Sequence, residues 1–322
     1  MIASDPAVLL DEAREGSRGA LARLVTYVEA GAAHHRATVA LAYRAPQPYV
    51  IGLTGPPGAG KSTLTDRLIT AALVRGRIGD DDADAFNQVG VLCVDPSSPF
   101  TGGAILGDRI RMQDHATNER VFIRSMATRG HLGGLSLAVP DALRVLGAAR
   151  FPFVLVETVG VGQMEVEIAS AADTTVVVVN PGWGDAMQAN KAGLLEVADV
   201  FVINKSDRPG VRETRRDLEQ MLDLGRLRPW RPLIVETSAT SGEGVDALFD
   251  ALDDHRRFLG DSGLRDARRT RTRVELDRVV SAMVRSRVAH LAKGAAYEER
   301  VDALLAGATD PYAAAEALLV EP

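Results

Sequence analysis

"YVIGLTGPPGAGKSTLTDRLITAALV", residues 49–74, decides the fold. It opens with a short apolar run rich in β-branched residues, passes through a Gly/Pro turn, and continues with apolar residues at helical spacing. The turn fits G-x-x-x-x-G-K-[ST] through Gly55, Gly60, Lys61 and Ser62, with Pro56, Pro57, Gly58 and Ala59 between and Thr63 after. A strand before and a helix after are the context this phosphate-binding pattern requires. The glycines let backbone N–H groups curl around phosphate oxygens, and the helix N-terminus adds positive potential. Lys61 is expected to reach β- and γ-phosphates, and the Ser62 hydroxyl to bind Mg²⁺. A plain Gly-rich turn is the alternative, and the flanking strand and helix argue against it.

Outward from this loop, β-branched runs alternate with amphipathic segments as far as about residue 258. The runs are "YVIGLTG", "QVGVLCVD", "RVFIRS", "FPFVLVET", "TTVVVVN", "VFVINK" and "PLIVETS". They are nearly continuous in apolar character, as strands buried on both faces are, so the class is α/β with a largely parallel sheet. Ahead of them, Leu9, Leu10, Leu21, Leu24, Val25 and Val28 recur at helical spacing, and "APQPY" (45–49) breaks the pattern. After "DSGLRDARR" (261–269) the strands stop. Leu276, Val279, Val280, Met283, Val284, Val288 and Leu291 then mark one apolar helical face. This face reads as an arm that pairs two copies of the chain, with folding back on its own domain as the alternative. The expected division is a helical N-terminal extension (1–46), a phosphate-loop domain (47–260) and a helical dimerisation region (261–322).

The 322 residues are 46% hydrophobic and 25% charged, ordinary for a globular protein with a sizeable core. A net charge of −6 without a long basic run speaks against nucleic acid, whose phosphates need clustered Lys and Arg. Cys93 is the only cysteine, which excludes an intrachain disulfide and fits a reducing compartment. The acidic start "MIASDPAVLLDEA" is unlike a signal peptide, and no run approaches the roughly 18 apolar residues of a membrane helix. The expectation is a cytoplasmic protein without a membrane partner.

"NKSD" (204–207) ends another strand, where ligands contact open α/β sheets. Asp207 can accept from the N1–H and the 2-amino group of guanine, whereas adenine would leave the carboxylate unpaired. Polar pairing of this kind discriminates by roughly 10⁴-fold or more. Asn204 and Lys205 belong to the same element. Downstream, "TSATSGEG" (237–244) begins at a strand end, and Ser238 and Ala239, followed by Thr240, are expected to offer backbone N–H groups to the guanine O6. The combination reads as a GTP/GDP site.

Four further positions carry the expected chemistry. Glu157, near the end of "FPFVLVET", can hold Mg²⁺ through water. Gly160 in "ETVGVGQ" is placed to donate its N–H to a γ-phosphate. Asp95, ending "QVGVLCVD", is the candidate to orient an attacking water, and Asp108 in "GGAILGDRIRM" is a second Mg²⁺ partner. With Ser62, the carboxylates of Asp95, Asp108 and Glu157 form the expected metal set; each carboxylate alone could equally cap a helix or face solvent. Arg109 and Arg111 are candidates to stabilise phosphoryl charge or to be exposed helix residues, and Gln163 to meet water near the γ-phosphate.

The strings "VDPSSPFTGGAILGDRIRM", "ETVGVGQMEVEIASAAD" and "NKSD" together resemble the MeaB/ArgK family of GTPases in the SIMIBI branch of phosphate-loop proteins. The resemblance implies a GTP-hydrolysing chaperone of an adenosylcobalamin-dependent acyl-CoA mutase, usually methylmalonyl-CoA mutase, working as a homodimer. It further implies that "PGWGDAMQANKAG" (181–193) relays the nucleotide state to the mutase through Asp185, Gln188 and Lys191, against the plain alternative of a capped surface helix. Trp183 departs from the smaller residue expected there. Three other readings stand beside it: a kinase acting on a Lys/Arg/Orn transport system, a nickel-insertion GTPase, and a binding module that never hydrolyses. "NKSD" opposes the ATP preference of the first, and the six scattered histidines fit poorly with the second.

Replacing Asp207 with Asn is expected to move preference from GTP to XTP, because xanthine presents a carbonyl where guanine has its amine. Competition binding checks this, and a retained preference for GTP contradicts the assignment of Asp207.

Overall fold

The structure, a computed structural model, describes residues 5–31, 34–75, 88–95, 112–115, 117–127, 138–158, 168–182, 196–225, 228–291 and 294–320. The chain begins with three helices, α1 (Pro6–Arg14), α2 (Arg18–Ala30) and α3 (His35–Ala42). Strand β1 (Tyr49–Thr54), helix α4 (Lys61–Arg75), strands β2 (Val89–Asp95) and β3 (Val121–Ala127), helix α5 (Ala138–Ala148) and strand β4 (Phe153–Thr158) follow. Then come β5 (Thr174–Val179), β6 (Val200–Asn204), α6 (Val211–Leu224), β7 (Leu233–Thr237), α7 (Val245–Leu291, interrupted at Gly260, whose φ 54° and ψ −174° are not helical), α8 (Ala295–Leu305) and α9 (Pro311–Val320). All seven apolar runs are strands.

They form one parallel sheet in the order β3-β2-β4-β1-β5-β6-β7. After β1 the chain builds outward on one side through β2 and β3, returns to β4, and then crosses to β5 on the other side. The switch point therefore lies at the carboxyl end of β1, where open α/β sheets bind ligands.

Alternate residues of each strand serve two cores. Val50, Leu92, Val94, Val154 and Val156 face α1, α2 and α5. Ile51, Leu53, Val91, Cys93, Leu155, Val176 and Val178 face α4 and the beginning of α7. Burial on both sides explains the unbroken apolar runs of β1, β4, β5 and β6, whereas the edge strands β3 and β7 are only partly buried. A third cluster packs Leu218 of α6 on Val177, Val179, Phe201 and Ile203.

Helices α1–α3 share the first core with the sheet instead of standing apart from it. Local chemistry starts and stops them. The Asp5 carboxylate accepts from Ala7 N at 2.8 Å with Pro6 at the first helical position, and Ser17 Oγ accepts from Ala20 N at 3.3 Å. Arg14 Nε donates to Ala148 O at 3.0 Å, Arg18 Nη2 to Val121 O at 2.6 Å, and Arg124 Nη2 to Glu29 Oε2 at 2.7 Å. At the amino edge of the sheet, Tyr49, Thr174 and His255 form a buried chain of hydrogen bonds (2.5 and 2.8 Å) that fastens α7. Burial lowers the His255 imidazole from its ordinary value, against the pull of Asp199.

The chain divides into two compact units, Met1–Leu264 and Arg265–Pro322. In the second, the stretch of α7 carrying Leu276, Val279, Val280, Met283, Val284 and Val288 leaves all six exposed. Among the described residues no helix is long and apolar enough to cross a membrane.

The shared core predicts that Leu24→Ala lowers unfolding free energy by about 2–5 kcal/mol, because Leu24 is 1% exposed and lies among Leu10 of α1, Ala42 of α3 and Val145 of α5. Val8→Ala, on the open side of α1, is expected to stay within about 0.5 kcal/mol of the parent. Urea denaturation of the two variants measures the contrast.

Candidate nucleotide-binding site

At the carboxyl edge of β1 the chain turns sharply into α4. Gly55 takes φ 138°, and a Cβ there would lie 2.0 Å from Val178 O on β5. Gly60 takes φ 91°, and a Cβ there would lie 2.3 Å from Asn204 Nδ2. Both positions thus need glycine for space as well as for backbone conformation.

A backbone that turns its N–H groups toward an anion turns carbonyls the other way, and those carbonyls need donors. The structure supplies them from side chains. Lys61 Nζ donates to Gly55 O at 2.7 Å and to Pro56 O at 3.0 Å. Lys205 Nζ donates to Gly58 O at 2.6 Å, and Asn180 Nδ2 adds a longer contact to the same oxygen at 3.4 Å. Asn204, only 1% exposed, donates through Nδ2 to Ala59 O at 2.8 Å. Its Oδ1 accepts from Thr237 Oγ1 and from Ala239 N, both at 3.1 Å. One buried amide therefore joins the phosphate loop, β6 and the 237–244 turn. Lys205 holds φ 61°, a left-handed value that costs a side-chain-bearing residue roughly 1–2 kcal/mol.

Asp207 is exposed at the mouth of the site, and Ser238 Oγ donates to its Oδ1 at 3.2 Å. Ser238 N–H donates to Glu243 O at 2.9 Å, in a bridge that closes the turn. The amides of Ser238 and Ala239 thus both have partners within the protein. Thr240 lies exposed beside them.

Below the loop, Glu157 is 4% exposed. Ser62 Oγ donates to its Oε1 at 2.6 Å and Thr65 Oγ1 to its Oε2 at 3.1 Å. The register explains the meeting: Leu53 of β1 pairs with Glu157 of β4, so the carboxylate stands beside the first turn of α4. A hydroxyl and a carboxylate form an all-oxygen donor set of the hard kind Mg²⁺ takes, and these residues fit that ion. Thr65 was missed in the sequence, although it lies three residues beyond Ser62 and so on the same helical face.

Arg67 was missed as well. Its Nε donates to Ala239 O and its Nη2 to Thr240 O, each at 2.9 Å. One turn away, His115 Nε2 lies 3.2 Å from Asp66 O and 3.3 Å from Thr70 Oγ1. Burial raises the Asp66 carboxyl from its usual value, partly offset by His115.

The structure brings together Gly55–Ser62, Glu157, Asn204, Lys205, Asp207, Ser238, Ala239 and Thr240 along one edge, with Thr63 in the first turn of α4. Asp95 ends β2, two strands from β1, and its side chain lies outside the described residues. So do Asp108, Arg109, Arg111, Gly160, Gln163, Trp183, Asp185, Gln188 and Lys191.

Residues 21–296 match the family described as Methylmalonyl Co-A mutase-associated GTPase MeaB. The chain belongs to the MeaB family. A protein of Pyrococcus abyssi named as a GTPase is 47% identical over 97% of this chain and 95% of its own length. The fused isobutyryl-CoA mutase of Cupriavidus metallidurans carries a segment 38% identical to 76% of this chain, which is 22% of that protein. Among solved structures, a LAO/AO transport system kinase matches with a TM-score of 0.70 and 26% identity, covering 99% of this chain and 98% of that one. Membership of the MeaB family makes this a phosphate-loop GTPase fold and implies guanine-nucleotide binding.

Two glycine substitutions separate space from conformation. Gly60→Ala is expected to weaken GDP binding by at least about 100-fold, because the new Cβ collides with Asn204. Gly58→Ala meets open space at φ 76° and is expected to lose only the left-handed penalty of roughly 1–2 kcal/mol, about tenfold. Calorimetric titration reads both.

Proposed function

We propose that this chain hydrolyses GTP in a Mg²⁺-dependent reaction and serves as a chaperone of an adenosylcobalamin-dependent acyl-CoA mutase. In this reading it protects and reactivates the mutase and gates the loading of the mutase's cofactor. The observation that carries the GTPase half is Asn204, one buried amide that ties phosphate-loop Ala59 to the amide of Ala239. The mutase half is supported by the MeaB family itself and by a relative in which a homologous segment is part of an isobutyryl-CoA mutase.

The roles divide by position. Backbone amides of 55–63 and the Lys61 ammonium would neutralise the phosphates. Lys61 is 6% exposed and its Nζ donates to Gly55 O and Pro56 O, which keeps its charge at the loop; contact with the phosphates would exchange these carbonyls for phosphate oxygens. Ser62 and Glu157 would hold Mg²⁺, with Asp95 and Asp108 as further partners; the ion would supply neutralisation of phosphate charge. Asp95 would also orient the attacking water, and Gly160 would donate to the γ-phosphate. Asp207 would select guanine. Asp185, Gln188 and Lys191 would report the nucleotide state to the mutase, and the exposed face of α7 from Leu276 to Val288 would pair two copies of the chain.

A second reading has one observation behind it: the match to a LAO/AO transport system kinase. That reading needs transfer to an acceptor protein, whereas the proposed one needs transfer to water.

GTPases that lack a complete set of transition-state groups turn over slowly, and an Arg supplied by a partner adds on the order of 10³–10⁵ in rate. Phosphate release is therefore expected to be slow for the chain alone and to rise by more than about tenfold with saturating methylmalonyl- or isobutyryl-CoA mutase. A rate indifferent to either mutase contradicts the proposal. Label appearing on a transport protein instead of in free phosphate favours the kinase.

A further inference from the structure

Resting on the guanine-site reading, we infer that Arg67 is a positioning residue for base recognition: it sets the peptide through which the 238–241 turn meets the carbonyl at position 6 of the purine. Arg67 stands on α4, the helix that the phosphate loop opens, and is remote in sequence from the turn it grips. Its Nε takes Ala239 O and its Nη2 takes Thr240 O, both at 2.9 Å. In a trans peptide the C=O and N–H point in opposite directions. Fixing Ala239 O against Arg67 therefore turns the N–H of Thr240 away from α4, and fixing Thr240 O does the same for the N–H of Ser241.

The neighbouring amides show why this orientation matters. Ser238 N–H is engaged with Glu243 O, and Ala239 N–H with Asn204 Oδ1. Thr240 N–H makes no hydrogen bond among the described residues and is the next donor along the turn. Its peptide is the one Arg67 holds. Asp207 meets the same turn through Ser238 Oγ. The two devices thus address different edges of the base: the carboxylate reads N1–H and the 2-amino group, and the Arg67-held peptide reads the 6-carbonyl. The guanidinium suits this task because it is planar, carries several donors in a fixed fork and stays charged at any working pH.

Three diphosphates separate the two devices. GDP has both features, IDP keeps the 6-carbonyl and lacks the 2-amino group, and ADP lacks the carbonyl. Arg67→Ala is expected to weaken GDP and IDP by about tenfold each, the scale of lost hydrogen bonds to a charged group, while ADP stays within about twofold of the parent. The GDP:IDP ratio then stays constant and the GDP:ADP ratio contracts about tenfold; in turnover KM rises and kcat does not. Arg67→Gln, which keeps one amide donor, carries the same test if the Ala variant fails to fold. Equal weakening of ADP, or no change in GDP, overturns the inference and leaves the guanine site standing. A parent protein with no preference for GDP over ADP removes the ground for both.

Discussion

The site depends on one constraint: a loop that turns its amides toward phosphate must find donors for the carbonyls that turn outward. Unmet, a buried carbonyl costs about 1–3 kcal/mol, a cost that bears on Gly55 and Ala59, whereas Gly58 is exposed. The structure meets the demand at Gly55, Pro56, Gly58 and Ala59 with Lys61, Lys205 and Asn204. Two of these three come from the strand end that also carries Asp207. The element that braces the phosphate loop is thereby the element to which we assign selection of the base. Lys205 combines a left-handed backbone with its contact to the exposed Gly58 O.

The parallel sheet makes this possible. β1 ends beside β4 on one side and β5 on the other, with β6 next, so residues from 55, 157 and 204 reach one edge despite their distance in sequence. The register of Leu53 with Glu157 sets the depth of the carboxylate, and Val178 O leaves no room for a side chain at Gly55. The three N-terminal helices and α5 cover one face and α4 with the beginning of α7 the other, so the strands have little freedom to shift the site.

Much of this was legible in the sequence because its causes are local. A strand buried on both faces must be apolar throughout, as β1, β4, β5 and β6 are, and all seven apolar runs are strands. The phosphate loop and "NKSD" owe their recognisability to backbone demands and to side-chain chemistry at fixed spacing. What stayed hidden depends on contacts between distant segments. Helical periodicity showed that Leu9 and Leu24 bury a face, yet could not show that this face meets the sheet core. Arg67 looked like one more charged residue on a helix, and only the fold sets it against Ala239 and Thr240. Thr65 differs in kind: helical spacing from Ser62 was enough to find it.

If one buried amide joins both halves of the pocket, loosening it must loosen both. Hydrogen–deuterium exchange of Asn204→Ala against the parent measures this most directly. Faster exchange of amides in 55–63 together with those in 237–241 is the predicted result. Acceleration confined to 237–241, or none in either segment, would contradict the coupling on which this account of the site stands.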